Sequence, residues 1–171
     1  MSPSPSNPRK FACKVLKTIF RNQAFADDVF DAETKDVVLS DQDRALAFEL
    51  VYGVLRHAVT LDWRLDQISR KPIARLPLNV ATTLRVAAYQ LLYLDRIPES
   101  AAVNEAVKLI RKQPGHDWGG LVNAILRNLI RQPAPSLPDS RVAPIEALSL
   151  NYACPVWMVE RWIKAFGNDH A

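Results

Sequence analysis

The sequence predicts an all-α fold, and three observations predict it. Apolar residues recur at three- and four-residue spacing over most of residues 9–131, the period of amphipathic helices. Residues 46–55 and 78–94 are apolar on nearly every side, as expected of helices enclosed by neighbours. No segment alternates long enough to read as a strand; Val37-Val38-Leu39 is too short. With 171 residues, 49% hydrophobic and 23% charged, the chain is long and apolar enough for one self-sufficient core.

The elements follow in order. Residues 1–8, rich in Pro and Ser, are expected to be a disordered tail. Helices are expected over 9–22 and 24–31. A third starts at Ser40, where Asp43 three residues on gives a capping-box-like start, and runs through Gly53 to residue 57. A fourth covers 61–70 and stops before Pro72, because the residue preceding a proline is biased out of helical geometry. A fifth covers 77–94, with Pro77 suited to the first helical position. A sixth starts at Pro98 and ends before Pro114; a seventh opens with Asp117 as cap and ends at 131. Pro133, Pro135, Pro138 and Pro144 make 132–152 read as an extended linker. Residues 155–166 form one more amphipathic helix, closed by Gly167. The expected architecture is a bundle in which the third and fifth helices are wrapped by one-sided ones.

Composition excludes several chemistries. Five glycines provide no phosphate-cradling loop. Cys13 and Cys154 are too few for a disulfide or zinc framework, and His57, His116 and His170 are scattered, so no metal is expected. Cys13 is expected to be a small buried apolar residue. No carboxylate pair or Ser/His/Asp set stands out, and no catalytic residue is assigned. No apolar run is long enough to span a membrane and no secretory leader is visible, so a cytoplasmic chain is expected.

What remains is basic charge. The net charge is +4, and residues 1–131 hold 19 basic against 14 acidic residues. Lys10, Lys14, Lys17 and Arg21 lie at i, i+4, i+7 and i+11, a stripe about 60° wide on the first helix. Ala12, Val15, Leu16 and Ile19 lie opposite. Like charges at i,i+4 repel, so a single-sign stripe suits a phosphate backbone; a solubilising face explains it equally well. Arg9 stands at the stripe's edge. Arg127 and Arg131 end the seventh helix, where the helix dipole also favours cations. The dipole is the favoured reading for Lys108, Arg111 and Lys112. Asn104 and Asn123 sit within apolar faces and are expected to hydrogen-bond across helix junctions.

Several segments resemble one family. Residues 43–56, from Asp43 to Arg56, resemble the central helix of the NusB-like domain, and residues 84–94, with Tyr89-Gln-Leu-Leu-Tyr93, its next long helix. Val103-Asn-Glu-Ala-Val107 and Leu121-Val-Asn-Ala-Ile-Leu-Arg127 complete the pattern in order. The resemblance covers residues 9–131. It points to the N-terminal domain of the Sun/RsmB (Fmu) 16S ribosomal RNA cytosine-C5 methyltransferases. Residues 151–167 are similar to the opening of those enzymes' following domain, although Cys154 stands where the pattern has a polar residue, often histidine. The resemblance implies ribosomal RNA as partner, with a ribosomal protein or the missing methyltransferase domain as further candidates. The charge pattern, taken with RNA as partner, makes Arg9, Lys10, Lys14, Lys17, Arg21, Arg127 and Arg131 the expected RNA-binding residues. S-adenosylmethionine is expected only on the missing catalytic domain; the chain alone is expected to bind no cofactor. A NusB-type antitermination factor, binding RNA with a ribosomal protein, stays open, as does a protein-interaction domain without RNA.

Overall fold

A computed structural model describes residues 7–35, 37–111 and 116–167. Among the described residues there are nine α-helices and no strand. They are α1 (Pro8–Asn22), α2 (Ala26–Lys35), α3 (Asp41–Arg56), α4 (Ala58–Asp66), α5 (Leu78–Tyr93), α6 (Glu99–Arg111), α7 (Gly119–Arg131), α8 (Pro144–Tyr152) and α9 (Val156–Phe166), with a 3-10 turn at Ile73–Arg75.

α5 is the axis of the molecule. It packs on α1, α3, α4, α6 and α7, and every residue from Val80 to Gln90 is buried except Arg85. Arg85 is held where it is: its guanidinium makes two 2.7 Å hydrogen bonds to Asp62 of α4 and lies 4.8 Å from the Phe20 ring centre. A paired, ring-covered arginine avoids the cost of an isolated charge beside an apolar core. The core around α5 takes Leu16 from α1, Leu50 from α3, Leu61 from α4, Ile110 from α6 and Leu126 from α7.

The expected pair of central helices reduces to one. α3 buries only Ala47, Leu50, Val51, Gly53 and Val54. Its Phe48 is half exposed and stacks on Tyr52 at 4.1 Å, with Phe30 edge-on to Phe48 at 5.6 Å. Apolar residues on every side of a helix therefore served partly as a surface aromatic cluster.

Several boundaries also move. Asn7 and Pro8 belong to α1 rather than to a tail: the Asn7 side chain accepts from the Arg9 and Lys10 backbone N–H groups, and Pro8 opens the helix. Residues 1–6 lie outside the described residues. Ser40 caps α3 through the Asp43 N–H at 3.1 Å, as the sequence predicts. α4 starts one residue after α3, across His57. It ends at Asp66, whose carboxylate accepts the Ile73 N–H at 2.7 Å and turns the chain into the 3-10 turn. Asp117 accepts the Gly119 N–H at 2.8 Å at the start of α7.

The stretch 132–152 is not all linker. Pro144 sits at the start of α8, where its missing N–H costs nothing. The cross-junction roles expected of Asn104 and Asn123 are overturned, since both are exposed. α8 rests on α4, where Thr60 Oγ1 donates to the Leu150 carbonyl at 3.1 Å. It turns into α9 at Ala153, which takes left-handed geometry (φ 52°).

Candidate nucleic-acid interface

The first helix carries the predicted stripe. Lys10, Lys14 and Arg21 are exposed and Lys17 is half-buried, while Phe11, Ala12, Val15, Leu16 and Ile19 are buried on the other face. Periodicity alone fixes this arrangement: an apolar face turned inward leaves the cations outward. Lys10, Lys17 and Arg21 have no ion pair among the described residues. Lys14 pairs with Glu33 of α2, a helix that also bears Asp27, Asp28 and Asp31. The stripe thus borders an acidic helix, and one of its four cations is already partnered.

Arg9 is not part of the stripe. Its Nε donates to Gln90 Oε1 at 2.7 Å, and the buried Gln90 in turn donates to the Val86 carbonyl at 2.9 Å. This side chain ties α1 to α5. Beside it, Asn7 Nδ2 donates to Glu105 at 3.0 Å and Lys108 pairs with Glu105 at 2.9 Å. Lys108, Asn7 and the nearby Arg9 hold the Glu105 carboxyl below its ordinary range, with Lys108 the largest cause. Lys108 therefore acts in a local ion pair at i,i+3. Lys112 lies outside the described residues.

Arg127 is half-buried and Arg131 exposed on α7. The main neighbours of α7 are α6 and α5, whereas those of α1 are α3 and α5. The seven predicted residues therefore fall into three settings: an exposed stripe, an anchoring Arg9, and the end of α7. Cys13 is buried against α5, and burial pushes its thiol up to about 11, so it stays a protonated, apolar-like side chain.

A second basic surface is absent from the sequence reading. A groove of about 550 Å³ opens between α4, the end of α5 and α8. Arg56, His57, Trp63, Arg64, Tyr93 and Tyr152 bring it charge and rings. His57 and Tyr93 stack at 4.2 Å, and Tyr89 lies behind Tyr93 at 5.2 Å. Tyr89 packs directly on Gly53, where a Cβ would stand 2.0 Å from its ring, and its hydroxyl donates to Glu49. Burial, and then the Arg56 charge, hold His57 below its usual pKa against the opposing pull of Glu49, so it is a neutral ring at pH 7. The only signal in the sequence was aromatic residues at helix ends, which by itself selects nothing.

Among the described residues no group of three His, Cys, Asp or Glu side chains is placed to hold a metal ion, and no helix is long and apolar enough to cross a membrane.

The fold defines an all-helical bundle domain built around one buried helix. Residues 6–131 match the NusB family, and the chain belongs to it. Over nearly its whole length it is similar to ribosomal RNA methyltransferases. It is 34% identical over 163 residues to a probable ribosomal RNA small subunit methyltransferase B of Bacillus subtilis (strain 168), covering 95% of this chain and 36% of that protein. It is 36% identical over 162 residues to the ribosomal RNA small subunit methyltransferase B of Escherichia coli O1:K1, covering 94% of this chain and 35% of that protein. The chain thus spans about a third of the relatives it matches. Two solved structures share the fold. T. maritima NusB aligns with a TM-score of 0.65 at 20% identity, over 77% of this chain and 95% of that one. PH0851 aligns with a TM-score of 0.70 at 15% identity, over 95% of this chain and 36% of that one.

Proposed function

We propose that the chain is the RNA-binding module of a cytoplasmic ribosomal RNA cytosine-C5 methyltransferase, and that it holds structured small-subunit RNA for a catalytic domain outside these residues. The observation that carries this is the reach of the similarity. The methyltransferase relatives align over 94–95% of the chain, a length that carries the match past residue 131, across α8 and into α9. A free-standing regulator of the NusB type gives those two helices no role, and T. maritima NusB aligns with only 77% of the chain. Ribosomal RNA is a polyanion, and Lys10, Lys17 and Arg21 offer it a row of cations on a rigid helix. S-adenosylmethionine belongs to the outside domain in this reading, since the described residues supply helices where that cofactor would need a glycine-rich loop on a sheet.

The test is RNA binding across a salt series with the full chain and a fragment of 16S ribosomal RNA. Each phosphate contact adds roughly 0.7–0.9 to the log–log slope. Replacing Lys10, Lys17 and Arg21 together by Gln is expected to flatten the slope by about 2. Lys108→Gln, which removes a cation already paired with Glu105, is the control and is expected to change the slope by well under 1. A chain that ignores RNA but retains a protein partner would instead make this a protein-interaction domain.

A further inference from the structure

We propose that the groove between α4, the end of α5 and α8 binds an unpaired RNA nucleotide, its base stacked on Tyr93 beside Tyr152 and its phosphates met by Arg56 and Arg64. The inference rests on RNA being the partner, and it names the form of RNA and the place.

Three features of the groove converge. The first is charge. Arg56 and Arg64 both line it, no carboxylate does, and neither arginine has an ion pair among the described residues. Of the acids on the neighbouring elements, Asp62 is engaged with Arg85, Asp66 with the Ile73 N–H and Glu49 with the Tyr89 hydroxyl, while Glu146 of α8 is exposed and does not line the groove. Two arginines facing one hollow with no anion suit a ligand that brings negative charge.

The second is a stacking surface that is already built. His57, Tyr93 and Tyr89 lie within 26° of parallel, and Tyr93 is the most exposed ring of the stack. Tyr89 beneath it is fixed by Gly53 and Glu49, so the platform is rigid before a ligand arrives. Tyr152 of α8 is 72% exposed at the same groove. Rings of this kind accept any base through its π-face, but only a base that is out of a duplex.

The third is continuity. A second hollow of about 220 Å³ shares Arg64 and Pro135 with the groove and is lined further by Gln67 and Gln132. A strand leaving the stacked base thus has a polar path past Arg64 toward the end of α7, where Arg131 directly precedes Gln132. An apolar peptide would fill the hydrophobic part of the groove and leave both arginines unpaired, which makes RNA the better occupant.

The experiment measures fluorescence anisotropy of a short labelled single-stranded RNA, the same strand carrying an abasic site, and a fully paired RNA duplex. The proteins are the full chain, Tyr93→Ser, Tyr152→Ser, Arg56→Gln with Arg64→Gln, and the stripe variant described above. The single strand is expected to bind more tightly than the abasic strand. Each tyrosine variant is expected to lose about tenfold affinity for the intact strand and little for the duplex. Tyr152 is exposed, so its variant reports on the groove even if Tyr93→Ser unfolds. Equal affinity of parent, Tyr152→Ser and the double arginine variant for the single strand overturns the groove while leaving RNA binding standing. A parent that binds duplex but ignores single strands does the same. A parent that binds none of the RNAs, ribosomal RNA included, overturns the groove and the proposed function together.

Discussion

α7 and α9 are written in the same amphipathic pattern and meet opposite fates. α7 buries Val122, Ile125, Leu126 and Leu129 against α5 and α6. α9 buries Val159 alone and leaves Trp157 60%, Trp162 40% and Phe166 63% exposed. The difference lies in the neighbours. α7 follows α6 and folds back on it, while α9 touches chiefly α8, itself a short helix leaning on α4. A periodic apolar face states that a helix needs cover; it does not state that the cover lies in the same 171 residues. Burying a large side chain contributes about 1.5–3 kcal/mol, so the bundle and the α8–α9 pair differ greatly in what secures them.

The sharpest way to break this contrast is to cut one apolar side chain from each helix. Leu126→Ala is expected to cost about 2–5 kcal/mol, as cavities in packed cores do. Trp157→Ser is expected to stay within about 0.5 kcal/mol. Urea melts of the full chain followed by circular dichroism measure both. A Trp157→Ser loss as large as that of Leu126→Ala would mean that α9 is covered in solution, and a concentration-dependent midpoint would identify a second copy as the cover.

The bundle itself is packed to the limit of a single carbon. Gly53 is buried and lies directly under the Tyr89 ring, so Gly53→Ala forces that ring to move and is expected to cost about 1–3 kcal/mol. Gly120, near the start of α7, has nothing within 4 Å of an added Cβ. There the same exchange is expected to stabilise by about 0.5–1 kcal/mol through helix propensity. Thermal melts give both signs. A harmless Gly53→Ala would show the aromatic stack to be looser than its geometry.

These contrasts mark what the sequence made legible. Helix positions were readable because the apolar period is local, and Ser40 with Asp43 announced the start of α3 without tertiary information. α8 was hidden because prolines at 133, 135, 138 and 144 read alike as breakers, while only Pro144 occupies a first helical turn. The stripe was legible for the same local reason as the helix that carries it. That Glu33 neutralises Lys14, and that Arg9 turns inward to Gln90, depends on how α2 and α5 lie against α1. The groove could not be read at all, since it joins residues near 56–64, 92–93, 134–137 and 150–153.

Effects of about 1 kcal/mol and opposite sign are expected from one exchange made at two threonines. Thr82 lies fully buried in α5, and its hydroxyl has no hydrogen-bond partner among the described residues. Thr82→Val keeps the branched shape and removes the unpaired polar atom, so it is expected to stabilise by about 1 kcal/mol. Thr60 lies at the seam between bundle and extension, where its hydroxyl donates to the Leu150 carbonyl of α8. Thr60→Val removes that bond and is expected to cost about 0.5–1.5 kcal/mol. The readouts differ as the regions do. Thr82→Val raises the midpoint of the whole cooperative transition, because α5 touches most of the bundle. Thr60→Val is expected to act on α8 and α9 alone, as faster amide hydrogen exchange there with an unchanged bundle midpoint. If Thr60→Val instead lowers the global midpoint, α8 unfolds with the bundle, and the boundary between the two regions moves from residue 131 to α9.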